Sequence, residues 1–154
     1  MTAERLTLDS NLLIYAADNT TGVRHTLAAK LVVSCAAVDC VLSIQALSEF
    51  FHAVTRKGKL ARAIAADQVR DWMTFFPVIA PNGAALAAAL DLNISNQTGF
   101  WDGVLVATAE QAGCTMLLSE DMHDGMRFRT LRVRNPFAGA ELAEDIRALI
   151  GLDA

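Results

Sequence analysis

No apolar run in the sequence approaches the roughly 18 residues needed to cross a bilayer. The stretch Met1 to Leu8 lacks the positive region and apolar core of a secretory leader. A cytoplasmic location without a membrane partner is therefore expected. Cysteine is scarce: Cys35, Cys40 and Cys114 are odd in number and form no CxxC pair. That argues against a disulfide framework and suits small core hydrophobes in a reducing compartment. The spacing of Cys35 and Cys40 fits no common zinc pattern. Aromatic residues are only 6% of the chain, whereas Ala and Leu abound, which favours helices packed on a sheet. Hydrophobic residues at 53% and charged residues at 19% exclude disorder.

A length of 154 residues fits one domain with a single sizeable core, spanning 1–154. Short apolar runs alternate with helical patterns. Leu6-Thr7-Leu8 reads as a strand ending at Asp9, with a helix from Asn11 to about Asp18 and another from Val23 to Ala37. Val41-Leu42-Ser43 reads as a buried strand. Ile44 to Lys57 follows as a helix with Ile44, Leu47, Phe51 and Val54 on one face, ended by Gly58. Leu60 to Phe76 is a further helix, with an apolar stripe of Val69, Trp72, Met73 and Phe76, and Val78-Ile79 is a candidate strand. Helices from Gly83 to about Leu92 and from Trp101 to Ala112 precede strands at Cys114–Leu118 and Leu131–Val133, and a helix from Leu142 to Ile150 comes last. The alternation predicts a three-layer α/β/α sandwich with a short, mainly parallel sheet. Ligands of such sheets gather beyond the carboxyl ends of the strands.

Net charge is −4, an unpromising balance for a nucleic-acid binder. The distribution says more. Eight of the 13 basic residues lie in two stretches, Arg56, Lys57, Lys59, Arg62 and Arg127, Arg129, Arg132, Arg134. Such runs are commonly solvated faces; a nucleic-acid contact is the alternative, mainly for the first stretch together with His52.

Asp9 ends the first strand, and Asp121 lies three residues beyond Leu118. Asp102 sits at a helix start, where the positive end of the dipole tolerates a carboxylate. All three belong to the same edge of a parallel sheet. Glu49 points roughly 170° away from the Ile44/Leu47/Phe51/Val54 stripe at 100° per residue, so it faces solvent or a cleft. Taken singly, each acid is also a plausible cap or dipole partner. No Lys follows Lys59, which removes the late-strand Lys of a phosphoacceptor signalling domain. Asp9 is followed by Ser10-Asn11, not by the Asp-x-Asp of a haloacid-dehalogenase-type phosphatase.

In order along the chain, Leu8-Asp9-Ser10-Asn11-Leu12-Leu13, Ser43 to Phe50 with Glu49, Trp101-Asp102-Gly103, and Leu117-Leu118-Ser119-Glu120-Asp121 followed by Asn135-Pro136-Phe137 resemble the motifs of PIN domains, and the ending resembles that of VapC-type toxins. The resemblance implies Mg²⁺- or Mn²⁺-dependent hydrolysis of RNA phosphodiester bonds by metal-activated water. Asp9, Glu49, Asp102 and Asp121 would hold the metal, with Asp124 as an additional candidate acid. Ser10, Asn11 and Ser119 could donate hydrogen bonds that orient the carboxylates; capping of the helix at Asn11 and of the turn after Leu118 is the other reading of them. Possible RNA contacts are His52, Arg56, Lys57, Lys59 and Arg62. Two other readings stay open: an RNA-processing nuclease without an antitoxin, and a catalytically inactive nucleic-acid-binding module.

A mean hydropathy of +0.33 is high for a domain of this size. Two adjacent helices carry apolar stripes, so some apolar surface is expected to stay exposed, with Trp72 a prominent part. The resemblance implies a homodimer and a protein antitoxin laid against these two helices.

Overall fold

The computed structural model describes residues 3–152. Met1 and Thr2, part of the segment read for a leader, and Asp153 and Ala154 lie outside them. Six strands form one sheet in the order β3-β2-β1-β4-β6-β5. These are β1 (Leu6–Leu8), β2 (Cys40–Ser43), β3 (Val78–Ile79), β4 (Met116–Leu118), β5 (Arg127–Phe128) and β6 (Leu131–Arg134). Every neighbouring pair is parallel except the β5–β6 hairpin. β1, β2 and β4 are buried along their whole length, as expected for strands covered on both faces.

The helices are α1 (Ser10–Ala17), α2 (Val23–Cys35), α3 (Ile44–Arg56), α4 (Arg62–Phe75), α5 (Gly83–Ile94), α6 (Phe100–Gln111) and α7 (Glu144–Leu149). The core divides across the sheet. Leu6, Leu8, Leu42, Met116 and Leu118 face residues of α1, α2, α3, α4 and α7. Val41, Leu117, Leu131 and Val133 face α6. This is the expected sandwich. All three cysteines are buried and free. Among the described residues no helix is long and apolar enough to cross a membrane.

Several expectations need correction. β5 and the two-stranded ribbon of β7 (Phe137–Ala138) and β8 (Glu141–Leu142) have no clear periodic signature, being two residues each. Leu142 therefore belongs to β8, and the last helix begins two residues later. On α3 the buried face is Ala46, Leu47, Phe50 and Val54, whereas Ile44 is 46% exposed. The stripe of larger residues at Ile44 and Phe51 was misleading because Phe50 fills the core instead. Trp72 is only 6% exposed and meets the Phe50 ring edge-on at 4.7 Å, so it is core, not docking surface. Phe76 is buried as well, and the apolar residues that α4 does present are Ile64, Met73 and Phe75.

Candidate active site

From β1 the chain moves to β2 and β3 on one flank, then returns to β4 on the other. The crevice beyond the carboxyl ends of β1 and β4 is thus a topological switch point, where open α/β sheets place ligands. Asp9 and Ser119 stand on its two sides. The Asp9 N–H donates to the Leu118 carbonyl at 2.9 Å, extending the β1–β4 ladder by one residue and fixing Asp9 against β4.

Asp9 is both the N-cap of α1 and a buried acid, 6% exposed. Its Oδ1 accepts from the Ser10 N–H at 2.8 Å and its Oδ2 from the Ser119 hydroxyl at 2.8 Å. Burial nevertheless pushes its carboxyl from the ordinary 3.8 up to about 6; the Ser119 and Ser10 hydrogen bonds oppose the rise, and the Asp102 and Glu49 charges add to it. Asp102, in the first turn of α6, is also raised, by burial first and then by the Glu49 and Asp121 charges. The four acids are therefore electrostatic neighbours. None of them forms an ion pair among the described residues.

Polar side chains orient the acids. Ser10 Oγ donates to Glu49 Oε2 at 3.3 Å. Asn11 Nδ2 donates to Ser119 Oγ at 3.2 Å and to Asp121 Oδ2 at 3.3 Å, while its Oδ1 accepts from the Glu120 N–H. Ser119 Oγ in turn accepts from the Asp121 and Met122 N–H groups, which folds the turn after β4 around it. Ser43 caps α3 by accepting from the Ala46 N–H at 2.9 Å, setting the direction of the helix that carries Glu49.

Glu49, Asp102 and Asp121 are solvent-exposed, and as they stand no three His, Cys, Asp or Glu side chains among the described residues form a tight metal-holding group. The acids share one edge without closing into a cage, Glu49 being turned to Ser10 and Asp121 to Asn11. The donor chemistry still suits a hard divalent cation: the oxygens are all carboxylate, one acid is buried without a counter-charge, and the rim stays open to water. Asp124 is engaged elsewhere. It accepts from Arg134 Nε at 3.1 Å and from the Asn135 N–H at 2.9 Å, which hold its carboxyl below the usual range.

The basic residues divide. Arg56, Lys57 and Arg62 are exposed, whereas Lys59 Nζ pairs with the buried Asp18 at 3.4 Å. Arg134 is tied to Asp124 and Asp145, and Arg132 lies 4.0 Å from Glu4, so these two brace the fold, whereas Arg127 and Arg129 are exposed. His52 is exposed one turn beyond Glu49. Two groups escaped the sequence reading. Glu120 accepts from the Tyr15 hydroxyl at 2.6 Å and pairs with Arg24 Nε at 2.8 Å, bracing the turn that carries Asp121. Gln45 Nε2 donates to the Trp101 carbonyl at 2.9 Å, which joins α3 to the start of α6. Its place one turn before Glu49 was the available signal.

A sequence profile described as PIN domain matches residues 6–123. No curated protein matches the chain significantly. Similar solved structures include VapC20 of Mycobacterium tuberculosis, a sarcin-ricin-loop-cleaving toxin, with 20% identity over 73% of this chain and 86% of that one and a TM-score of 0.60. The DNA-bound VapBC of Salmonella typhimurium has 15% identity over 85% and 97%, with a TM-score of 0.61. VapBC-1 of nontypeable Haemophilus influenzae has 15% identity over 75% and 86%, with a TM-score of 0.53.

Proposed function

The chain belongs to the PIN-domain family, and from that membership we propose that it is a single-domain, divalent-metal-dependent endoribonuclease, the toxin of a type II toxin–antitoxin pair acting in the cytoplasm. The observation that carries this reading is the gathering of Asp9, Glu49, Asp102 and Asp121 at the β1/β4 switch point, with mutual charge effects and no cationic partner among the described residues. Likeness to VapC and VapBC structures supports the toxin assignment.

Asp9, Asp102, Asp121 and Glu49 would hold Mg²⁺ or Mn²⁺, whose chemistry is to lower the pKa of a water and neutralise charge on the phosphate. Asp9 supplies a pre-set oxygen, held by Ser10 and Ser119. Asn11 orients Asp121, and Ser10 orients Glu49. No imidazole base is needed: His25 Nδ1 lies against the Tyr15 carbonyl at 2.9 Å, and His123 is an exposed turn residue.

The test is incubation of the protein with a pool of cellular RNAs, with Mg²⁺ or with EDTA, mapping the ends produced. Asp9→Asn is expected to abolish Mg²⁺-dependent cleavage while the far-UV spectrum stays unchanged. Full activity in that variant would remove Asp9 from the mechanism.

A further inference from the structure

Beside the carboxylates, between α3 and α6, lies an open cleft of 540 Å³ lined by Ile44, Ser48, His52, Pro81 and Trp101, with Glu49 at its rim. Its volume is in the range of small-ligand sites. Trp101 is 66% exposed although it is one of the largest apolar side chains in the protein. Its place is nonetheless well defined. The Phe100 ring meets it edge-on at 5.0 Å, and Gln45 Nε2 holds its carbonyl. Gln45 Oε1, in the same wall, is enclosed without a donor among the described residues. Trp101 directly precedes Asp102, so whatever covers the indole lies next to the acids.

We propose that this cleft receives one unpaired nucleobase of the RNA strand, stacked on Trp101, immediately beside the four acids. The inference rests on the ribonuclease reading and adds a substrate-positioning subsite to it. A carboxylate at the rim and no cation in the lining disfavour a phosphate there, whereas a neutral base suits it. Every base offers a π face, and the exposed Ser48 and His52 present polar groups to a base edge. A base in a duplex is already stacked and paired, so the site selects single-stranded loops or ends, whose bases can splay out.

The experiment measures binding of a single-stranded decaribonucleotide to the full-length protein in EDTA, where no cleavage intervenes, with an abasic position scanned along the strand. Trp101→Ala and Trp101→Leu are expected to weaken binding about tenfold, and Trp101→Phe to retain most of it. At one position the abasic strand weakens wild-type binding to the same extent and does not weaken Trp101→Ala further. Leucine binding like wild type, additive losses at every abasic position, or unchanged RNA affinity with a changed mass in light scattering would each overturn the subsite, the last by making Trp101 a protein contact. If Asp9-dependent cleavage persists while Trp101→Ala binds normally, only the subsite falls. If the wild-type protein cuts no RNA with Mg²⁺, the enzymatic reading falls instead.

Discussion

Asp9 combines two demands that pull apart. As a helix cap it must be ionised to accept hydrogen bonds well, yet it is buried next to other acids. A carboxyl titrating near 6 rather than 3.8 carries a penalty on the order of 3 kcal/mol when charged. The sign follows from linkage. Between about 3.8 and 6 the folded protein binds more protons than the unfolded chain, so this group's effect on stability worsens as pH rises and levels off above 6. In metal-free protein, Asp9→Asn should therefore melt higher than wild type at pH 7.5, with the difference shrinking towards pH 4. Mg²⁺ should raise the wild-type midpoint at pH 7.5 and leave that of the variant nearly unchanged. Parallel pH dependence of the two proteins in thermal melts would show that Asp9 bears no such penalty. Ser10, Asn11 and Ser119 stood out in sequence because each sits within two residues of a candidate acid at a strand end, and the parallel β1–β4 pairing then joins partners 108 to 110 positions apart. The Tyr15–Glu120–Arg24 brace was not legible, since its members come from α1, α2 and the turn after β4 and only packing brings them together.

At the scale of elements, α3 and α6 decide the shape of the site. Gly103 lets α6 approach α5: a Cβ there would lie 2.7 Å from Thr98 Oγ1 and 3.4 Å from the Ala89 backbone. Gly103→Ala gains helix propensity but overpacks this region, which typically costs about 1–3 kcal/mol. The variant is expected to have a lower denaturation midpoint, and Thr98→Ala in the same chain should recover much of the loss. A stabilised single variant would mean that Thr98 simply rotates away. The exposed bases at the end of α3 and start of α4 carry a separate expectation. Replacing Arg56, Lys57 and Arg62 with Gln should flatten the salt dependence of single-stranded RNA binding, by about 0.7 in log–log slope for each phosphate no longer neutralised. An unchanged slope would make them a solvated face. Lys59 is best left in place because it neutralises buried Asp18.

For the whole molecule, the exposed apolar surface is not where the helix stripes pointed. With Trp72 and Phe76 in the core, the α3–α4 groove of 480 Å³ is lined by Ile44, Phe51, Val69 and Met73, and Phe75 lies next to a second groove with Val33. A homodimer remains the expectation. Light scattering should give twice the 16.5 kDa of the chain across a range of concentrations. If an antitoxin segment uses the α3–α4 groove, Met73→Glu should weaken its binding at unchanged fold. A concentration-independent monomer would rule out a constitutive dimer, and unchanged antitoxin affinity would rule out this groove.

The sequence by itself determined the architecture and the identity of the candidate acids. Alternating short strands and helices, with an acid after Leu8, another after Leu118 and a third at the start of α6, depend on local patterning, and the parallel topology then brings those ends to one edge. Tertiary structure decided what local patterning cannot carry. Which of Phe50 and Phe51 faces inward depends on where Trp72 packs, and that choice rotates α3 so that Glu49 lies roughly 115° from the middle of the buried face rather than directly opposite. The same packing turned Trp72 from surface to core and left Trp101 in solvent beside Asp102. Burial is a property of the packing between distant segments, and so is the raised carboxyl of Asp9, which no reading of its neighbours in the chain could supply.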